Sequence, residues 1–170
     1  MTVAPIPSVA DPAAALDELG LSLPVIPDDP KYINWRSSQG GQIFISGQLP
    51  YRDGILPVTG TVSDRADAGT DPALVDIDTA REMMQQATLN ALAVAADATG
   101  GLDRVRVVQL LVFVLSAPGF GQQSKVADAG SEMLVHVLGE EGRHARTAIG
   151  VAGLPRNSPV EVQMVCEVRA

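Results

Sequence analysis

The chain has 170 residues, 46% of them hydrophobic, which suits one domain that buries its own core without disulfides or metal. Its formal charge of -8, from 20 acidic and 12 basic side chains with no Lys/Arg block, repels phosphate backbones, so nucleic acid is excluded as an expected partner. The start, MTVAPIPSVADP, lacks a basic leader, and no stretch approaches the roughly 18 apolar residues of a membrane span. A cytoplasmic protein without a membrane partner is expected, and the one cysteine, Cys166, fits a reducing compartment.

Residues 1–30 are proline-rich and carry a single helical signal: Asp11 as N-cap, Pro12 in the first turn and Gly20 past the end. They read as a short helix plus an extended strap, set apart from a domain over residues 31–170. Lys31 to Ser37 and Gln42 to Gln48 flank Gln39-Gly40-Gly41 and carry strand-type residues, the signature of a hairpin. Between Leu49 and Asp71 the chain is turn-rich, with Gly60-Thr61-Val62 as a brief edge strand.

Ala73 to Thr99 has no Pro or Gly, and Ala80, Met84, Ala87, Ala91 and Val94 recur on one helical face before Gly100-Gly101 ends the helix. Arg104 to Leu115 alternates at first and is then apolar on both sides, as an interior strand does. A second helix is predicted over Ser124 to Leu138, then strands Ala145 to Ala152 and Val160 to Val168. The order predicts an α+β fold in which one mixed sheet is backed on one face by two helices. An apolar opposite face would then need another subunit to cover it.

Within Ala145-Arg146-Thr147-Ala148-Ile149-Gly150, strand alternation puts Arg146 beside the small Ala148 and Gly150, leaving room for a guanidinium to grip a carboxylate. An arginine so placed also serves a sheet edge by snorkelling or by pairing with an acid. On the last strand Val160, Val162, Met164, Cys166 and Val168 form an apolar face, which makes Cys166 a core thiol. Glu161 lies on the other face, where it is either an exposed acid or a proton-handling group. His136 and His144 are too few and too poorly spaced for a metal motif and are expected to serve packing or the surface. The serines lack a GxSxG setting.

Ile43-Phe44-Ile45-Ser46-Gly47-Gln48-Leu49-Pro50, the long helix with Val105 to Val114, and above all ARTAIGVAGLPRNSPVEVQMV from Ala145 to Val165 together resemble the reactive-imine deaminase superfamily. This is the RidA or YjgF type, some of whose members are labelled endoribonuclease L-PSP. The resemblance spans about residues 31–170, and the Gly142-Arg143-His144-Ala145-Arg146 run is similar to a longer, less characterised branch. It implies a chorismate-mutase-like fold and a homotrimer with small-molecule clefts between subunits. Carried over by position, it implies that Arg146 holds the substrate carboxylate, Glu161 manages the attacking water, and Ser46 and Gly47 line the cleft. Asp128, Ala148 and Tyr32 complete the implied substrate site. Asp128 stands where relatives often have asparagine, Ala148 where the best-characterised branch has cysteine, and Tyr32 one residue out of register. The implied reaction is hydrolysis of 2-imino or 2-enamino acids to 2-keto acid and ammonia, with no metal or cofactor. The alternative is a trimer that binds a small carboxylate without turnover. The ribonuclease label fits poorly with the negative charge and the 4% aromatic content.

Overall fold

The computed structural model describes residues 11–27 and 31–169; of the helix and extended strap expected over residues 1–30, positions 1–10 and 28–30 lie outside the described residues. Helix α1 (Pro12–Glu18) starts where the Asp11 carboxylate accepts from the backbone N–H groups of Ala13 and Ala14, with Pro12 in the first turn. It buries Ala15 and Leu16 and packs against α3 (Gln123–Leu138), and Leu21, Leu23 and Ile26 continue along the core.

The main sheet comprises β1 (Trp35–Ser37), β2 (Gln42–Gln48), β5 (Val105–Leu115), β6 (Ala145–Val151) and β7 (Val160–Val168), in the order β1-β2-β7-β5-β6. Every pairing is antiparallel except β5 with β6. Two parallel neighbours cannot be joined by a tight turn, so the chain crosses over through α3. This crossover sets α3 beside edge strand β6 and thereby builds one half of the candidate site.

Helices α2 (Ile77–Thr99) and α3 lie on one face of the sheet, as the strand pattern predicts. Val160, Val162, Met164 and Cys166 of β7 are fully buried beneath them, together with Leu110, Val112 and Val114 of β5. A bulge between Val107 and Gln109 shifts β5 by one residue against β7. That shift lets Val107 and Leu110 face the same helices; beyond it the sequence reads as apolar throughout because Leu111 and Phe113 occupy the helix-free face. Where the two helices pack together, Gly130 of α3 lies so near α2 that a Cβ there would meet Thr88 Oγ1 at 2.7 Å. Each large side chain buried here, such as Leu92, Leu110, Leu134 or Met164, contributes roughly 1.5–3 kcal/mol of hydrophobic stabilisation.

The long helix begins at Ile77, four residues after the start expected from Ala73. Leu74–Val75 instead forms β4, which pairs in parallel with β3 (Thr61–Val62) as a separate two-stranded sheet. Asp76 is the N-cap: its carboxylate accepts from Thr79 N at 2.9 Å and from Thr79 Oγ1 at 2.8 Å. These bonds, the backbone one foremost, hold the Asp76 carboxyl below its ordinary value. Asp76→Ala is expected to cost about 1 kcal/mol in urea denaturation at neutral pH. The cap's charge-dependent contribution is complete above the unfolded carboxyl value and is lost as pH falls through the lowered folded one, so the gap between variant and wild type narrows in acid.

Among the described residues, no helix is long and apolar enough to cross a membrane.

Candidate functional site

Edge strand β6 presents Arg146, Ala148 and Gly150 on the helix side, in register with the core residues Leu110, Val112 and Val114 of β5. The Arg146 side chain is 27% exposed and reaches α3, where Nη1 donates to Asp128 Oδ1 at 2.9 Å and to Ser131 Oγ at 3.1 Å. Asp128 and Ser131 are three positions apart on one helix, so both face β6. Behind them, Ser131 Oγ lies 3.0 Å from His144 Nε2, and His144 Nδ1 lies 2.6 Å from the Gly142 carbonyl oxygen. Burial, and then the neighbouring Arg146 charge, lower the His144 pKa despite the opposing Gly142 bond, so the ring is neutral at pH 7. Nε and Nη2 of Arg146 have no partner among the described residues.

Glu161 lies on the opposite face of the sheet. It is in register with Phe113, whereas its neighbour Val162 is in register with the core residue Val112. Its carboxylate sits directly against Gly47 of β2, where any Cβ would overlap Glu161 Oε1. Only glycine at position 47 lets the two strands hold the carboxylate there. Glu161 is half-buried, and this desolvation raises its carboxyl pKa above the ordinary 4.5. Ser46, the neighbour of Gly47, donates its hydroxyl to the Ile33 carbonyl at 2.7 Å, which ties β2 to the segment carrying Tyr32. Tyr32 itself is 65% exposed.

The expected residues therefore form two groups. Arg146, Asp128 and Ala148 lie at the junction of β6 with the helix side, whereas Glu161, Gly47, Ser46 and the Tyr32 segment lie toward the other side and the opposite edge. Two strand spacings, about 10 Å, separate β7 from β6, and the sheet itself intervenes. One chain does not bring Arg146 and Glu161 onto a single small molecule. Ser131 and His144 escaped the sequence reading, although the three-residue spacing from Asp128 and the two-residue spacing before Arg146 were available as signals.

Cys166 is a free thiol, wholly buried, and burial pushes its pKa up to about 11, so it carries no thiolate at neutral pH. His136 lies 4.0 Å from Glu18 at the surface between α3 and α1. Among the described residues no three His, Cys, Asp or Glu side chains converge as a metal-binding group.

A family model described as "YjgF/chorismate_mutase-like, putative endoribonuclease" matches residues 14–168. Protein TCP17 of Trypanosoma cruzi is 38% identical over 159 residues, covering 92% of this chain and 93% of its own. Among solved structures, protein Atu1372 of Agrobacterium tumefaciens is 35% identical with a TM-score of 0.79, over 94% of this chain and 92% of that one. The YjgF gene product of E. coli, 22% identical with a TM-score of 0.53 over 82% of this chain and 88% of its own, shares the fold.

Proposed function

The chain belongs to the YjgF/chorismate mutase-like family, and from that premise we propose that it is a hydrolytic deaminase of 2-imino and 2-enamino acids, working as a homotrimer. The observation that carries this reading is the Arg146 guanidinium: Nη1 is held by Asp128 and Ser131, while the Nε and Nη2 edge has no partner among the described residues. Such an edge matches a carboxylate with two parallel hydrogen bonds. Assembly supplies the second half of the cleft. The helix-free face exposes Phe44 and Ile149 at 43% and 44%, beside the half-buried Leu111 and Phe113, and the edge strand β6 is largely exposed. Covering that face and edge with another copy sets Glu161, Gly47, Ser46 and Tyr32 of one protomer against Arg146 and Ala148 of its neighbour.

In the proposed reaction Arg146 fixes the carboxylate and the small Ala148 leaves space beside it. Glu161 takes a proton from water as the oxygen bonds to the carbon of the protonated C=N and returns it to nitrogen; it then takes the remaining hydroxyl proton as the carbonyl forms and the C–N bond breaks, and passes that proton to the departing ammonia. Imine and water thus become 2-keto acid and ammonia. Burial raises the Glu161 carboxyl above its ordinary value, which makes it a better proton acceptor than a free carboxylate. The chemistry requires no metal or cofactor, because a protonated imine is already electrophilic.

A second reading is favoured by one feature: the Arg146 edge is complete within a single chain, whereas Glu161 is not beside it. A trimer could hold a 2-keto acid on that edge without turning it over. Cleavage of RNA, named in the family description, is opposed by the formal charge of -8. The test is release of ammonia and keto acid from imines generated in situ by an amino-acid oxidase, across a range of side chains. Acceleration by the protein is expected. No acceleration with any side chain, together with retained keto-acid binding, would replace the deaminase by the binding protein.

A further inference from the structure

We propose that Ser131 and His144 are positioning residues for Arg146: a one-way hydrogen-bond chain through them, anchored on the Gly142 carbonyl, pins Nη1 and aims the Nε and Nη2 edge at a ligand carboxylate. The inference rests on the carboxylate-binding reading of Arg146 and adds the groups that orient it.

The direction of the chain follows from what each group can do. A carbonyl oxygen only accepts, so the 2.6 Å contact to Gly142 requires the hydrogen on His144 Nδ1. In the neutral ring Nε2 is then an acceptor, and Ser131, 3.0 Å away, donates to it. The Ser131 oxygen is thereby turned to accept from Arg146 Nη1 at 3.1 Å, and a guanidinium has no acceptor with which to reverse the sense. Asp128 takes the other Nη1 hydrogen at 2.9 Å. Both hydrogens of Nη1 are consumed, so of the two forks that a guanidinium offers around Nη2, the one shared with Nη1 is closed and the one shared with Nε is open.

The anchor is rigid. Gly142 is buried against the end of α3, where a Cβ would overlap the Leu134 carbonyl and crowd Val135 N at 2.9 Å. Only glycine fits, and its carbonyl is therefore held by backbone rather than by a movable side chain. The lowered His144 pKa keeps Nε2 an acceptor at neutral pH. Asp128 alone would hold the arginine by a half-exposed ion pair that leaves the guanidinium free to swivel; the second partner, half-buried Ser131, restricts that freedom.

The test combines calorimetric titration with pyruvate and phenylpyruvate and 15N NMR of guanidinium rotation in the ligand-free protein. Ser131→Ala and His144→Phe are each expected to weaken keto-acid binding about tenfold and to speed rotation about the Arg146 Nε–Cζ bond. Their combination is expected to be no worse than either alone, because both break one chain. Ser131→Thr, which keeps the hydroxyl, is expected to restore affinity and slow rotation. In the imine assay the loss falls on KM and leaves kcat unchanged. Wild-type affinity and slow rotation in Ser131→Ala, with binding still lost in Arg146→Ala, would overturn the positioning role and leave the carboxylate site standing. Failure of the wild type to bind either keto acid would overturn the carboxylate site and the positioning role together.

Discussion

Arg146→Ala is expected to abolish measurable imine hydrolysis and to weaken 2-keto acid binding by about 2–4 kcal/mol, roughly 30- to 1,000-fold. The size follows from what is removed: two parallel charge-assisted hydrogen bonds from a side chain only 27% exposed, where water screens them less than at an open surface. Stability is expected to change little. The Arg146 partner Asp128 is 46% exposed, so their ion pair is worth at most about 1 kcal/mol, and the apolar core beneath β6 is untouched. Thermal denaturation within a few degrees of wild type, alongside lost keto-acid binding in calorimetry, would separate recognition from folding. An unchanged rate of ammonia release would remove Arg146 from the site.

The residues differ in how much of this could be read before folding. Cys166 declared itself through the alternation of β7, and burial confirms it as core. Arg146 and Glu161 were each assigned correctly to a face of their own strand, but neither alternation reveals the pairing between strands. The register of Arg146 with Leu110 and of Glu161 with Phe113 is what separates the two across the sheet. The start of α2 was missed because Leu74–Val75 is held by pairing with Thr61–Val62, a contact far along the chain that leaves no local periodicity. His144 and Ser131 carry suggestive spacings to Arg146 and Asp128, but that the two side chains meet could not be read, for a related reason. One precedes a strand and the other lies in a helix, and only the β5-α3-β6 crossover makes them neighbours. Propensity and alternation describe elements one at a time, whereas this site is made where elements meet.

Glu161→Gln is expected to slow imine hydrolysis about 100- to 10,000-fold, the range for removing a positioned proton-transfer group. Its pH signature is specific. Burial raises the Glu161 carboxyl above 4.5, so wild-type activity is expected to fall as pH drops through that raised value, and the variant is expected to lack this limb. Stability moves the other way. Because the folded pKa is raised, the buried charge costs stability as pH rises from the unfolded value through the folded one, so Glu161→Gln is at least as stable as wild type at neutral pH. Gly47→Ala reaches the same carboxylate without changing it: the new methyl group must displace Glu161 Oε1, a flexible end that moves at small cost to the fold. A large loss of rate with little loss of stability is therefore expected, and a wild-type rate would show that the position of Glu161 is immaterial. The two halves of the cleft can then be tested together. If Arg146 of one protomer serves Glu161 of the next, every mixed trimer of Arg146→Ala and Glu161→Gln regains one intact site. Unfolding and reassembling the two inactive proteins in equal amounts is expected to restore about a quarter of the wild-type sites. No recovery from verified mixed trimers would mean that each site is built within one chain, which the intervening sheet forbids for this pair, and Glu161 would lose its role.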